Sequence, residues 1–206
     1  FPNIVDKSID TLQIFNQDSH KNDIFFALSH GVGTGKLRKK NNAKENLDER
    51  VIFFRELKKL SPHVMFDLYG FDGIQPIWAN DFLNKIKDSY MGVCLQRKPL
   101  LKYSLSDRIA QYLGNGLMVF IEKETEFNEF LKDKEDAVFF DDVHDLSKMI
   151  EYYKSNKHEA VRIASNGYNK IHTYCNERVV TNYFIDCIDG KKEDELDKYI
   201  WPIHKF

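Results

Sequence analysis

Five short apolar runs alternate with segments of helical spacing along this chain. The runs span residues 23–29, 63–69, 90–95, 117–121 and 137–140. Helical segments follow at 47–60, 80–89, 107–113, 125–131, 144–154, 158–174 and 177–188. Continuous apolar runs are typical of strands that are covered on both faces, and their alternation with helices is the pattern of a doubly wound sheet. The sequence therefore predicts an α/β fold with a doubly wound, mainly parallel sheet of about five or six strands.

The ends of the chain differ in composition from this alternating region. Residues 1–22 carry turn-forming residues with little periodicity, and residues 191–206 are charged before a short apolar end. We therefore divide the chain into a lead-in (1–22), one domain (23–190) and a tail (191–206). The chain begins at Phe1 rather than Met, which predicts that an upstream segment has been removed.

Composition excludes several classes of function. A formal net charge of −2 disfavours a general nucleic-acid binder or a protein of anionic membranes. Three cysteines without C-x-x-C spacing, and histidines without ligand spacing, predict neither a disulfide framework nor a metal site. No run approaches 18 apolar residues and no signal peptide opens the chain, so we expect no integral membrane segment.

Ligands of doubly wound sheets bind beyond the carboxyl ends of the strands, which directs attention to residues 29–46, 69–79, 96–107 and 122–126. The first of these segments contains Gly31, Gly33, Gly35 and Lys36. Glycines let backbone N–H groups approach an anion, and the lysine adds charge. The spacing matches neither a Walker A loop nor G-x-G-x-x-G, so an anion-binding loop and a flexible glycine turn remain equally open.

The third and fourth runs are followed by charged segments. Arg97 and Lys98, then Ser106 and Arg108 at the start of a helical segment, could together bind a diphosphate. A solvated basic loop explains the same residues equally well.

The acidic cluster Glu122, Glu124 and Glu126 could accept hydrogen bonds from sugar hydroxyls, or could be a solvated loop. Asp142 is better explained as the N-cap of a helix than as a metal ligand.

Taken in order, residues from about 20 to 188 resemble the C-terminal, nucleotide-sugar-binding domain of GT-B glycosyltransferases of the group 1 family, in a branch similar to spore-coat maturation proteins. Residues 106–116 (SDRIAQYLGNG) resemble the family's S-x-R-x-x-E-x-x-A-x-G stretch, with Gln111 in place of the usual Glu and Gly114 in place of the usual Ala. The matching residues of the terminal R-x-x-I-A-x-x-G…H-T-Y…R pattern look mainly structural; they are Arg162, Ala164, Gly167, His172, Tyr174 and Arg178.

This resemblance implies a Rossmann-like half of a GT-B fold that binds a nucleotide-diphosphate-sugar as substrate, with no cofactor. Arg108 and Lys36 would neutralise the departing diphosphate, Gln111 would contact the ribose, and Glu124 or Glu126 would contact donor hydroxyls. The glycine loop would bring backbone N–H groups to the donor, and Arg97 and Ser106 would bind beside it.

The implied activity is sugar transfer to a glycan or cell-surface acceptor in the cytoplasm, with peripheral association at the inner face of the membrane left open. The acceptor half of the family's cleft is not visible here, so residues 1–22 would be an interdomain linker. The alternatives are a non-catalytic nucleotide-sugar-binding module, another phosphate-ligand enzyme such as an epimerase or phosphotransferase, and a protein-interaction domain that uses the basic segment 36–44.

Overall fold

A computed structural model describes residues 3–29, 48–98, 100, 102 and 107–199 of the chain. Its centre is a five-stranded, all-parallel sheet in the order β2-β1-β3-β4-β5, which confirms the predicted fold class and all five strands. The strands are β1 (Asn22–Ala27), β2 (Phe66–Tyr69), β3 (Ser89–Cys94), β4 (Met118–Glu122) and β5 (Val138–Phe140). Because β2 and β3 lie on opposite sides of β1, the direction of winding reverses between β1 and β3.

Seven helices surround this sheet in the described part of the chain. They are α1 (Glu49–Leu60), α2 (Ala79–Ile86), α3 (Asp107–Gly114), α4 (Val143–Ser155), α5 (Lys157–Tyr174), α6 (Glu177–Ile188) and α7 (Glu193–Leu196). The predicted N-cap is confirmed, because the Asp142 side chain accepts hydrogen bonds from the backbone N–H groups of His144 and Asp145.

The helix predicted at 125–131 is wrong. Two 3-10 turns, Lys123–Thr125 and Phe127–Glu129, occupy this region instead. Glu126 separates them with a φ of 56°, a left-handed backbone conformation that ends a right-handed helix.

Both faces of the sheet are buried, as the continuous apolar runs require. On one face Phe26 packs on Phe54 of α1, with ring centroids 4.1 Å apart. On the other face Phe25 packs against Phe82 of α2 and Tyr112 of α3, at 5.4 and 5.6 Å. Adjacent residues of β1 thus anchor helices on opposite faces, because side chains alternate along a strand.

The N-terminal segment packs against the C-terminal ends of α5 and α3. The backbone N–H of Val5 donates to the carbonyl of Cys175 (3.0 Å), and that of Ile14 donates to the carbonyl of Asn115 (2.9 Å). A Cβ on Gly114 would lie 2.4 Å from Val5 Cγ2, closer than side chains tolerate. This contact gives a physical reason for glycine where the resembled family has alanine.

Residues of the terminal R-x-x-I-A-x-x-G…H-T-Y…R pattern make contacts that hold α5 against the rest of the domain. Arg162 Nη2 donates to the carbonyl of Lys134 (3.0 Å), and a ring nitrogen of His172 lies 2.9 Å from the carbonyl oxygen of Gly114. A Cβ on Gly167 would lie 2.3 Å from the carbonyl oxygen of Asp136, so only glycine lets α5 approach this loop so closely.

Candidate functional site

A cavity of about 730 Å³ opens where the winding of the sheet reverses. The end of β1, the start of α2, the start of α3 and the N-terminal segment form its walls. Such a reversal leaves a crevice at the carboxyl ends of the strands, where ligands of doubly wound sheets bind. We call this space the switch-point cavity; its lining residues are Ser8, Ile9, Asp10, Ala27, Leu28, Ser29, Ile77, Trp78, Ala79, Asn80, Phe82, Leu83, Asp107, Arg108 and Gln111.

Arg108 bridges the two strands on either side of the reversal. Its Nη1 donates a 2.8 Å hydrogen bond to the carbonyl of Leu95, just past β3. Its guanidinium carbon lies 5.0 Å from the ring centroid of Phe26 in β1, a cation–π contact. These two contacts hold a half-buried positive charge at the wall of the cavity, and a guanidinium has further N–H donors for an anion.

Gln111 lies about one helical turn after Arg108 and lines the same cavity. Its side chain is exposed, and among the described residues its amide group makes no hydrogen bond. An amide both donates and accepts hydrogen bonds, so it suits a hydroxyl-bearing ligand. The structure therefore brings together two of the residues that the sequence selected.

Close packing under α3 fixes the direction of these side chains. The Ala27 N–H donates to the Tyr112 hydroxyl oxygen at 3.3 Å. A Cβ on Gly92 would lie 2.6 Å from the Tyr112 ring, so glycine at this position of β3 makes room for it. Burial raises the pKa of Tyr112, which keeps this hydroxyl neutral.

The N-terminal segment supplies a carboxyl group that the sequence did not indicate. Asp10 is buried and accepts hydrogen bonds from Asn115 Nδ2 (2.8 Å) and from the backbone N–H of Asp6 (3.0 Å). Burial raises the pKa of Asp10, although both hydrogen bonds oppose this. The lead-in is thus one wall of the cavity.

The other charged residues selected from the sequence lie beyond β3 and β4, where each has a partner within the protein. Arg97 Nε lies 3.4 Å from Oδ2 of Asp48, which also binds Arg50 at 2.6 Å and caps α1. Although burial opposes it, hydrogen bonds from Arg50 and the charges of Arg50 and Arg97 lower the pKa of Asp48. Arg97 therefore contacts the start of α1.

The three glutamates of the acidic cluster have separate partners. Glu122 accepts a 2.8 Å hydrogen bond from the backbone N–H of Gln96, and burial raises its pKa. Glu124 pairs with Lys98 at 2.9 Å and is 69% exposed, and Glu126 pairs with Lys102 at 2.5 Å. We call these paired groups, together with the pair of Lys123 and Asp141 (3.2 Å), the charged rim: Asp48, Arg97, Lys98, Lys102, Glu122, Lys123, Glu124, Glu126 and Asp141. Lys98, Glu122 and Glu124 also line a smaller cavity of about 390 Å³.

Five predicted site residues lie outside the described residues: Gly31, Gly33, Gly35, Lys36 and Ser106. Their roles stay predictions. Conversely, Trp78 and Asn80 line the switch-point cavity but were not selected, because the segment 69–79 and the residue that follows it carry no recognisable motif. The position of this segment after a strand was the signal that could have found them.

In the part of the chain that the structure describes, no group of three or more His, Cys, Asp or Glu side chains is arranged to hold a metal ion. None of the described helices combines the length and apolar character needed to cross a bilayer.

The chain matches a family profile and several solved structures. The profile, described as glycosyl transferase-like, covers residues 49–183. TarM is 12% identical with a TM-score of 0.57 over 82% of this chain and 36% of its own. Anabaena HepE, solved with UDP, is 10% identical with a TM-score of 0.58 over 82% of this chain and 49% of its own.

A third structure is of domain size. The C-terminal domain of a group 1 family glycosyl transferase from Francisella tularensis is 15% identical, with a TM-score of 0.54 over 84% of this chain and 99% of its own. The chain thus spans half or less of TarM and HepE, but nearly all of this isolated domain. A search of curated proteins found no match.

Proposed function

This chain belongs to the glycosyl transferase-like family, and we propose that it binds the nucleotide-diphosphate-sugar donor of a glycosyltransferase in the switch-point cavity. Its fold is that of the C-terminal domain of group 1 glycosyltransferases, as the sequence resemblance implied. Membership in the spore-coat-maturation-like branch remains a prediction.

The convergence of Arg108 and Gln111 on one cavity at the strand reversal carries this proposal. Transfer of a sugar leaves a nucleoside diphosphate whose negative charge must be stabilised as the glycosidic bond breaks. In our proposal the N–H groups of the Arg108 guanidinium that do not contact Leu95 supply this stabilisation, and Gln111 binds a ribose hydroxyl. Lys36 and the loop with Gly31, Gly33 and Gly35 would add further donors.

A side-chain cation fits this role because both carboxyl groups that line the cavity have protein partners. Asp10 accepts hydrogen bonds from Asn115 and the backbone of Asp6, and Asp107 accepts one from Asn3 (3.1 Å). We therefore propose that the diphosphate is neutralised by protein cations, without a metal cofactor.

The similar solved structures indicate which donor to test first. Anabaena HepE has been solved with UDP and with UDP-glucose, so a UDP-sugar is the first donor to test. Because the chain spans about half of HepE, transfer itself and its acceptor are proposals about the whole protein. We propose a glycan or cell-surface acceptor, used in the cytoplasm or at the inner face of the membrane, with a second domain that closes over the donor.

Calorimetric titration of this chain with UDP, UDP-glucose and uridine, in buffer containing EDTA, tests the binding proposal. Each charge-assisted hydrogen bond to phosphate contributes about 1.5–3 kcal/mol, so UDP should bind at least tenfold more tightly than uridine. Equal affinities would overturn the phosphate site. A strict requirement for added Mn²⁺ or Mg²⁺ would overturn neutralisation by protein cations.

A donor-binding module without catalysis is the second candidate, because Gln111 stands where the resembled family has Glu. Both candidates bind the donor. Acceptor-dependent sugar transfer by the whole native protein separates them, since a module without catalysis would show none.

A further inference from the structure

Trp78 lines the switch-point cavity and is left largely uncovered by the protein. It is 63% exposed, and its indole makes no hydrogen bond and no ring contact with any residue that the structure describes. Tryptophan gains more than most side chains from burial, so an uncovered indole at a cavity wall is available for a ligand.

The local backbone does not explain a tryptophan at this position. Trp78 is the N-cap of α2, where it makes no side-chain capping bond. Ser, Thr, Asp and Asn serve that position best. Ala79, which follows it, has a φ of 51°, a left-handed conformation unfavourable for a residue with a Cβ. Such costs are concentrated at ligand sites.

The neighbouring aromatic residue on the same helix shows what a structural side chain does here. Phe82 packs edge-on to Phe25 at 5.4 Å and stacks with Tyr112 at 6.3 Å, which anchors α2 to the sheet. Trp78, the N-cap residue four positions before Phe82, lines the cavity without such a ring contact among the described residues. The helix is therefore held by Phe82, and Trp78 is not needed for its packing.

The cavity lining combines side chains of different chemical character. Arg108 supplies positive charge, Gln111 an amide, and Trp78 with Ile77 an apolar, aromatic surface. A nucleoside diphosphate has the matching parts: phosphates, ribose and a flat base. Every nucleobase has a π-face, and stacking on an aromatic side chain is tolerant of base identity.

Building on the proposed function, we propose that Trp78 is the platform on which the base of the donor nucleotide stacks. It contributes affinity for the nucleoside part of the donor and none for the diphosphate. Because the contact is a stack, it strengthens the binding of UDP and GDP alike.

Tryptophan fluorescence reports this contact directly. The chain contains two tryptophans, Trp78 and Trp201, so Trp201→Phe leaves Trp78 as the single reporter. UDP and uridine should quench its emission, since a stacked base contacts the indole. Inorganic pyrophosphate should leave the emission unchanged while it competes with UDP in calorimetry.

Substitution gives an independent measurement by calorimetry. Trp78→Ala should weaken UDP and GDP binding about tenfold or more, as expected for loss of a base stack, with pyrophosphate affinity unchanged. Trp78→Phe should retain most of the affinity, because it keeps an aromatic face. Ile188→Ala removes an exposed apolar side chain from α6, outside the cavity lining, and should change none of these values.

The outcomes separate this inference from the function on which it rests. If the wild type binds UDP but Trp78 emission is not quenched, the stacking platform is overturned and the proposed function stands. The same holds if Trp78→Ala binds UDP with undiminished affinity. Equal weakening of pyrophosphate and UDP by Trp78→Ala also overturns it. If the wild type binds no nucleotide, the proposed function fails first and the platform fails with it.

Discussion

The switch-point cavity and the charged rim lie at the same edge of the sheet but use their polar groups differently. In the cavity, Arg108 is anchored to Leu95 and Phe26 yet lines open space, together with the exposed amide of Gln111. In the rim, Arg97 pairs with Asp48 and Glu124 pairs with Lys98. Similar charged residues after strands thus have different surroundings.

The difference shows what turns a charge at a strand end into a binding group. A charged side chain that is already paired must lose its partner before it can bind a ligand, which offsets much of what the new contact contributes. A charge held by a backbone carbonyl and an aromatic ring keeps its remaining donors available. We therefore expect substitutions in the cavity to weaken donor binding more than substitutions in the rim.

The largest expected effect is on Arg108. Arg108→Ala should weaken UDP binding about 10- to 100-fold, because one or more charge-assisted hydrogen bonds to phosphate are lost. Arg108→Lys should recover part of the affinity, since it keeps the charge but not the planar donors. Calorimetric titration measures both.

Lys123→Ala is the matched rim control, since it removes an exposed cation that pairs with Asp141 at 3.2 Å. Its UDP affinity should stay within about twofold of the wild type, as expected for an exposed ion pair. Similar losses for Arg108→Ala and Lys123→Ala would contradict the distinction between cavity and rim.

The next effect concerns the N-terminal wall of the cavity. Gly114→Ala places a methyl group against Val5, and overpacking of this kind typically costs about 1–3 kcal/mol. The free energy of unfolding in urea should fall by that amount, and UDP binding should weaken as the wall with Asp10 shifts.

The double variant Val5→Ala with Gly114→Ala tests the cause. Removal of the methyl groups of Val5 should restore part of the stability lost in Gly114→Ala, although Val5→Ala alone is destabilising. Strictly additive losses in the double variant would show that Val5 is not the obstacle.

A smaller effect is expected from Glu124 in the rim. If Glu124 contacts donor hydroxyls as predicted, Glu124→Gln should weaken UDP-glucose binding severalfold, equivalent to about 1 kcal/mol, and leave UDP binding unchanged. Calorimetry with the two ligands separates sugar from nucleotide contacts. Equal weakening of both would exclude a specific sugar contact, and no change in either would exclude Glu124 from the donor site.

The sheet could be predicted from the sequence because each strand is marked by a local pattern. A continuous apolar run such as residues 90–95 is recognisable without reference to the rest of the chain, and β3 begins and ends within one residue of that run. The helix predicted at 125–131 failed because Glu126 adopts a left-handed conformation that no residue type in that segment requires.

The site depended on contacts between distant residues. Arg108 and Gln111 were predictable because they lie one turn apart in a recognisable stretch. The pairing of Arg97 with Asp48 and the lining of the cavity by Asp10 and Trp78 join segments far apart in the chain, so spacing alone could not show them.

The smallest expected effect is the pH dependence that Glu122 gives to stability. Burial raises the pKa of Glu122 in the folded chain above its ordinary value of 4.5, so between these two pKa values the folded state binds more protons than the unfolded state. Stability due to this group is therefore present at the acidic end and falls as the pH rises through that window. Glu122→Gln removes the titration and keeps an oxygen that can accept the hydrogen bond from Gln96. The melting temperature of the variant minus that of the wild type, measured from pH 4 to 7, should increase with pH and then level off.

Glu135→Gln, which removes an exposed carboxylate outside the rim, tests whether loss of one negative charge produces the same trend. A constant or declining difference for Glu122→Gln would show that desolvation does not control this carboxyl group, and would make Glu122 another simply paired charge of the rim.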